Sequence, residues 1–210
     1  MLLVCDCSNH RVQRLSLTGE DLGSFGLHKQ HKWQSIRSIA AHGDLVAIGA
    51  SDHCASPVNP AIHVHDLRTG EFIRSFASIF RGGGGASGCI GDYPPGIRFS
   101  PDGSLILVTE RDSPRLSLFT VEGQFVKHIG IGIPRKYYHN DVCYGSSGEI
   151  ITTDAGNGRV CVFSADSSNS LVTTWCSPGH FTHLGSPALA LAGPYLYLLA
   201  NGCVKVFGNK

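Results

Sequence analysis

Methionine is nearly absent from this chain, charge is scarce, and no apolar run is long. Of 210 residues one is Met and 16% are charged. No run reaches the ~18 to 20 consecutive apolar residues of a membrane helix, so no membrane partner is expected. Extended stretches of strong helix formers are also missing. Residues 1–5 carry neither a basic run nor a small-residue cleavage site, so no secretory leader is expected. The eight cysteines include no CxxC, and only Cys5 and Cys7 lie close together. Scattered thiols of this kind point to free, mostly buried cysteines in a reducing compartment, hence a cytoplasmic protein. The net charge is +1, so bulk charge names no partner and none is expected with DNA.

What the chain has is a refrain. Glycine contributes 26 residues, and 42% of the chain is hydrophobic, enough for a packed core. Five alternating runs align: "RVQRLSL" from Arg11, "AIHVHDL" from Ala61, "RLSLFTV" from Arg115, "RVCVFSA" from Arg159 and "CVKVF" from Cys203. Their first apolar anchors, Val12, Ile62, Leu116, Val160 and Val204, are spaced by 50, 54, 44 and 44 residues. The two longer intervals hold the insertions "SDHCASPVNP" (51–60) and "RGGGGASGCIGD" (81–92). The second of these ends in no GK[ST] and precedes no helix, so it reads as a flexible surface insertion and not a phosphate cradle.

Each complete unit predicts four short strands. Within 97–129, "IRFS", "LILVTE", "LSLFTV" and "FVKHI" are separated by "PDG", "RDSPR" and "EGQ". Alternation marks half-buried strands, and unbroken apolar runs such as Leu105–Val108 mark strands covered on both faces. Asp102-Gly103, Ser147-Gly148 and Thr69-Gly70 supply the turn chemistry. A period near 44 residues with four strands per unit predicts an all-β β-propeller. Its blades fall at approximately 1–26, 35–77, 96–130, 140–175 and 187–208 of a single domain, 1–210. The first unit lacks its innermost strand and the last its outer one. That pattern leads us to expect part of a longer, six-bladed ring, the rival being five blades closed in an unusual way.

"DCSNHRVQRL" and "DAGNGRVCVF" resemble NHL repeats, in which Asp, two residues, Asn, one residue and Arg precede an alternating strand. "NDVCYGSSGEIITTDAGNGRVCVF" matches that pattern nearly end to end. "PPGIRFSPDGSLILVTERDSPRLSLF" departs from it, having no Asn before Arg115, and the second and fifth units are degenerate. The resemblance implies the propeller fold and, most like the propeller of RING and B-box NHL proteins, a recognition module of a larger ubiquitin-ligase-like protein.

Strand placement sorts the loops by face. The links between blades (27–34, 78–95, 131–140 and 176–185) carry Lys29, Lys32, Arg81, Arg135 and Lys136 against the single acid Asp92. They also carry Trp33, Tyr137 and Tyr138. The second-to-third-strand turns on the same side add Arg11, Arg111, Arg115 and Arg159, partly balanced by acids. Turns at the opposite pole carry Glu20, Asp21, Asp44, Asp66, Glu71, Asp102, Glu122, Glu149 and Asp166, with Arg68 their one base. A near-neutral chain thus hides a basic, aromatic pole and an acidic one. Exposed aromatics beside cations can grip anionic peptide side chains or stack on bases.

Lys29, Lys32, Trp33, Arg81, Arg135, Lys136, Tyr137 and Tyr138 are therefore the expected partner-binding set. A non-catalytic scaffold recognising an acidic protein segment is expected, with single-stranded RNA on the same face as the alternative. A metal-dependent hydrolase or lyase is the third reading. Asn140 resembles the metal-binding Asn of gluconolactonase-type six-bladed propellers, with equivalents near Ser35, Pro95 and Ser186, and His139 lies beside it. One Asn without carboxylates is a poor cage for a hard cation, so no metal and no cofactor is expected. The pairs His28/His31, His63/His65 and His180/His183 read as solvated histidines.

Overall fold

The computed structural model describes residues 1–26, 34–52, 60–79, 89–90, 94–110, 115–130, 139–155, 157–176, 188–200 and 202–208. They form nineteen strands, and the single helical element is the 3-10 turn Cys7–Asn9. No helix among them is long and apolar enough to cross a membrane.

Five sheets follow one another along the chain, as the repeat predicts, antiparallel but for one short parallel pair at the edge of the second. The first contains β1 (Leu2–Asp6), β2 (Arg11–Leu15) and β3 (Asp21–Gly26). The second contains β4 (Gln34–His42), β5 (Leu45–Asp52), β6 (Pro60–Asp66) and β7 (Phe72–Ile79), with a short fifth strand, β8 (Cys89–Ile90). The third is β9 (Ile97–Phe99), β10 (Leu105–Thr109), β11 (Leu116–Thr120) and β12 (Phe125–Ile129). The fourth is β13 (His139–Tyr144), β14 (Ile150–Asp154), β15 (Arg159–Phe163) and β16 (Leu171–Cys176). The last has β17 (Ala188–Ala192), β18 (Tyr195–Ala200) and β19 (Cys203–Gly208). Register places the first sheet's three strands as the second, third and fourth of the repeat. Asp6↔Arg11 and Leu2↔Leu15 in β1–β2 match Asp154↔Arg159 and Ile150↔Phe163 in β14–β15.

One expectation is corrected here. The insertion 81–92 is not wholly a surface loop. Ser78 and Ile79 of β7 pair in parallel with Cys89 and Ile90, and Ile90 is buried in the core between the second and third sheets. A single apolar residue inside a glycine-rich segment carries no periodicity to announce that anchor.

The core is divided by interface. One cluster joins the first and second sheets through Val12, Phe25, Ile36, Val46 and Ile48. Ile62 and Val64 meet Ile97, Ile106 and Phe119 between the second and third. Leu107, Leu116 and Leu118 meet Val142, Ile150 and Phe163 between the third and fourth. Ile151, Val160 and Val162 meet Leu189, Leu196 and Leu198 between the fourth and last. Each sheet between the ends is therefore buried on both faces, which explains the unbroken apolar runs of its central strands. Among the described residues no cluster joins the last sheet to the first.

A turn glycine locks successive sheets. Gly70 and Gly123 occupy the third-to-fourth-strand turns of the second and third sheets, with φ of +77° and +94°. A Cβ at either would press into Phe25 or Phe76 of the preceding sheet's outer strand, the nearest atom being 2.6 Å away. Only glycine accepts both that backbone and that contact.

Candidate functional site

The repeat signature forms one rim. In the first sheet the Asp6 carboxylate accepts two bonds from Asn9 Nδ2 (2.9 and 2.8 Å) and one from Arg11 Nε (2.8 Å). In the fourth, Asp154 accepts from Asn157 Nδ2 (3.2 and 3.0 Å) and Arg159 Nε (2.9 Å). The third sheet reaches the same end differently. Glu110 stands where Asp would be, receives Arg115 Nε on both oxygens at 3.2 Å, and bonds Ser117 Oγ in place of the lost Asn. Ser117 in turn lies 3.0 Å from His128 Nδ1. Burial, helped by nearby Arg115, lowers the His128 pKa and favours the neutral ring. Glu110 and Asp154 are fully buried. These arginines are therefore neutralised pair by pair and hold the turns.

The links leave from the same rim. Gly26, Ile129 and Cys176, each at or next to the last described residue before a link, pair with Arg11, Leu116 and Arg159. Gln34 and His139, where the chain resumes, pair with Asp52 and Asp154. Lys29, Lys32, Trp33, Arg81, Arg135, Lys136, Tyr137 and Tyr138 all lie outside the described residues.

At the opposite pole the acids build turns. Asp66 accepts the backbone N–H groups of Arg68 (2.9 Å) and Thr69 (2.7 Å). Asp102 accepts from Ser100 Oγ at 2.5 Å and from Ser104 N–H at 3.1 Å. These bonds hold the Asp102 carboxyl down to about 2. Asp166 is lowered by its bonds from Ser168 and Ser164. Arg68 pairs with Asp44 at 2.9 Å, and Arg14 and Lys127 also reach this pole, donating to the carbonyl oxygens of Arg68 and Ser167.

Around the axis lies a cavity of about 270 Å³ lined by Arg37, Ser38, Arg98, Asn140, Asp141 and Ala188, among others. Asp141 fastens the last two sheets: Leu189 N–H of β17 donates to its Oδ2 at 2.8 Å, and Val142 N–H to Oδ1 at 2.8 Å. Arg98 approaches at 3.5 Å. Burial raises the Asp141 pKa, while Arg98 and the two backbone N–H groups oppose the rise. Sequence reasoning missed Asp141, because a contact between sheets leaves no periodic trace.

Asn140 borders this cavity. Ile36, Ile97, Val142 and Leu189 each begin an interface cluster from an innermost strand. With them as anchors, Ser35 aligns with Asp141, not Asn140, one residue away from the expected register. His139 lies on β13, and Ser186 is outside the described residues. Among the described residues no three of His, Cys, Asp and Glu converge as a metal site.

His63 and His65 are not solvated, contrary to expectation. Both are buried on β6, with His65 packed on Phe25 at 5.3 Å and on Phe72 at 5.6 Å. Their strand lies inside a sheet covered on both sides, so these rings serve as core. Cys5, Cys7, Cys143 and Cys203 are free thiols, and burial pushes Cys143 up to about 12 and Cys5 up to about 11.

Comparison with known proteins agrees with this geometry. Residues 140–163 match the NHL repeat family. No curated protein matches the sequence. Among solved structures, Kuenenia stuttgartiensis hydrazine synthase is similar with a TM-score of 0.65 at 16% identity, over 94% of this chain and 51% of that one. Virginiamycin B lyase from Staphylococcus aureus is similar with a TM-score of 0.66 at 15% identity, over 94% and 58%. The computationally designed Ika4 protein is similar with a TM-score of 0.59 at 17% identity, over 90% and 98%. The chain thus spans a little over half the length of the two natural relatives. Identities this low carry the fold and not an activity. The chain is a β-propeller of five successive sheets that carries an NHL repeat at residues 140–163.

Proposed function

We propose that this propeller is a non-catalytic, cytoplasmic recognition module that binds an acidic segment of a protein partner through the pole from which its inter-blade links emerge. The observation that carries this reading is the pairwise neutralisation of Arg11, Arg115 and Arg159 by Asp6, Glu110 and Asp154. With those charges spent within the rim, the cationic excess of this pole falls to Arg111 and to Lys29, Lys32, Arg81, Arg135 and Lys136 of the links. Trp33, Tyr137 and Tyr138 in the same links supply flat apolar area beside them. Loops on a rigid scaffold are where binding residues concentrate. Asp66, Asp102 and Asp166 at the far pole are held in the ionised form by their turn bonds, so the field along the axis draws an anionic partner to the link side.

A hydrolase or lyase reading is weaker. Among the described residues lining the axial cavity the one carboxylate, Asp141, is committed to two backbone N–H groups and faces Arg98.

The test is fluorescence anisotropy with a labelled poly-glutamate peptide and a poly-uridine oligonucleotide of equal length, each at low and moderate salt. The peptide should bind, and Arg135→Glu with Lys136→Glu should abolish binding while the melting temperature holds. Tighter binding of the oligonucleotide with a steep salt slope would transfer the site to RNA. Peptide binding unchanged by the double reversal would overturn the assignment of the surface.

A further inference from the structure

The two ends of the sheet series present complementary faces, and among the described residues neither is covered. In the last sheet one face is apolar throughout, with Ala190, Tyr195, Tyr197, Leu199, Val204 and Val206 on it by register. Val204 is 62% exposed and Val206 55%. Five of the positions have direct counterparts one sheet earlier. Tyr197↔Val206 repeats Ile151↔Val162, Leu199↔Val204 repeats Thr153↔Val160, and Ala190 stands where Cys143 does. In the fourth sheet Cys143, Ile151, Val160 and Val162 are buried against the next sheet.

The first sheet shows the opposite half of the same contact. Leu2, Val4 and Leu15 occupy the positions of Ile150, Thr152 and Phe163, which the fourth sheet buries toward the sheet before it. Leu2 is 48% exposed and Val4 43%. Gly19 occupies the turn position of Gly70 and Gly123 and has a positive φ of +88°, yet nothing lies within 4 Å of where its Cβ would be. Where Phe25 and Phe76 fill that space in the following sheets, here it is open.

We propose that copies of this chain associate head to tail, the apolar face of one copy's last sheet packing on the Leu2, Val4 and Leu15 face of another copy's first sheet. The contact continues the interface that the chain already makes four times within itself. It pairs the one uncovered trailing face with the one uncovered leading face. A contiguous apolar patch like that of the last sheet is rarely left in water, and Leu2, Val4 and Leu15 offer it apolar area beside Gln13 and Ser24. Because the two surfaces differ, the contact is heterologous. Two copies close on each other if the rotation permits, and otherwise the series extends.

Sedimentation velocity of the purified chain over a wide concentration range tests this. The expected result is a mass at or above twice 22.4 kDa at the higher concentrations. Val206→Lys spoils only the trailing face and Val4→Lys only the leading one, so each variant alone should run as a monomer. An equimolar mixture retains one intact pair of faces and should recover a dimer and nothing larger, a rescue that only folded chains can give. A chain that remains at 22.4 kDa throughout overturns the proposal and leaves these faces to a sheet of another polypeptide or of a longer chain. Loss of association in Val206→Lys with none in Val4→Lys would equally overturn it, since that result marks a like-to-like contact.

Discussion

Gly123 and Phe76 meet across the boundary between the third and second sheets so closely that a Cβ at 123 would stand 2.6 Å from the Phe76 ring. With φ at +94°, the position is closed to other residues on two separate grounds. Gly123→Ala should cost about 2 kcal/mol, combining left-handed strain with overpacking. Gly19→Ala should cost about 1 kcal/mol, because only the strain applies. Urea denaturation of the two variants checks the difference, and equal losses would deny that the turn glycine is a lock between sheets.

The buried rim pair makes a second prediction. Arg159→Ala leaves the Asp154 carboxylate without its counter-charge in a fully buried site. A loss of about 3 kcal/mol is expected, the range for breaking a buried pair from one side. Arg11→Ala, at the exposed pair with Asp6, should cost less. Chemical denaturation of both variants measures this.

Asp102 gives the chain an acid limit. Its carboxyl falls from the ordinary 3.8 to about 2 on folding. The folded state then binds fewer protons than the unfolded one, so the stabilisation is complete above about pH 3.8 and is withdrawn as pH falls through about 2. Asp66 and Asp166 are shifted in the same direction. Melting temperatures of the wild type and Asp102→Asn should be separated by a constant gap near neutrality, and the gap should close in that acid window.

Asp141 predicts a local effect. Asp141→Ala removes the acceptor of Leu189 N–H at the innermost strand of the last sheet. The cost should be about 1 to 3 kcal/mol, the penalty for an orphaned buried donor. Hydrogen exchange should show faster exchange at Leu189 while the second and third sheets keep their protection. Uniform acceleration across the chain would contradict the role of a fastener between two sheets.

The fold was legible where it is periodic. "IRFS", "LILVTE", "LSLFTV" and "FVKHI" became β9 through β12 within a residue or two, because alternation and turn glycines are local signals. The missing first strand of the opening sheet was legible for the same reason. What joins one sheet to the next was not. Ile90 in its glycine-rich insertion, Asp141 beneath Leu189 and the buried His63 and His65 depend on which sheet lies opposite. The rim showed both limits. Asp6, Asn9 and Arg11 announced the repeat, but that Arg115 and Arg159 are consumed by buried Glu110 and Asp154 required the structure.

The recognition pole is tested most directly by lysine acetylation footprinting, read by mass spectrometry, with and without the poly-glutamate peptide. The account predicts that Lys29, Lys32 and Lys136 become protected while Lys127, which bonds the Ser167 carbonyl oxygen, stays unchanged. Protection of Lys127 with none at Lys29, Lys32 and Lys136 would contradict it.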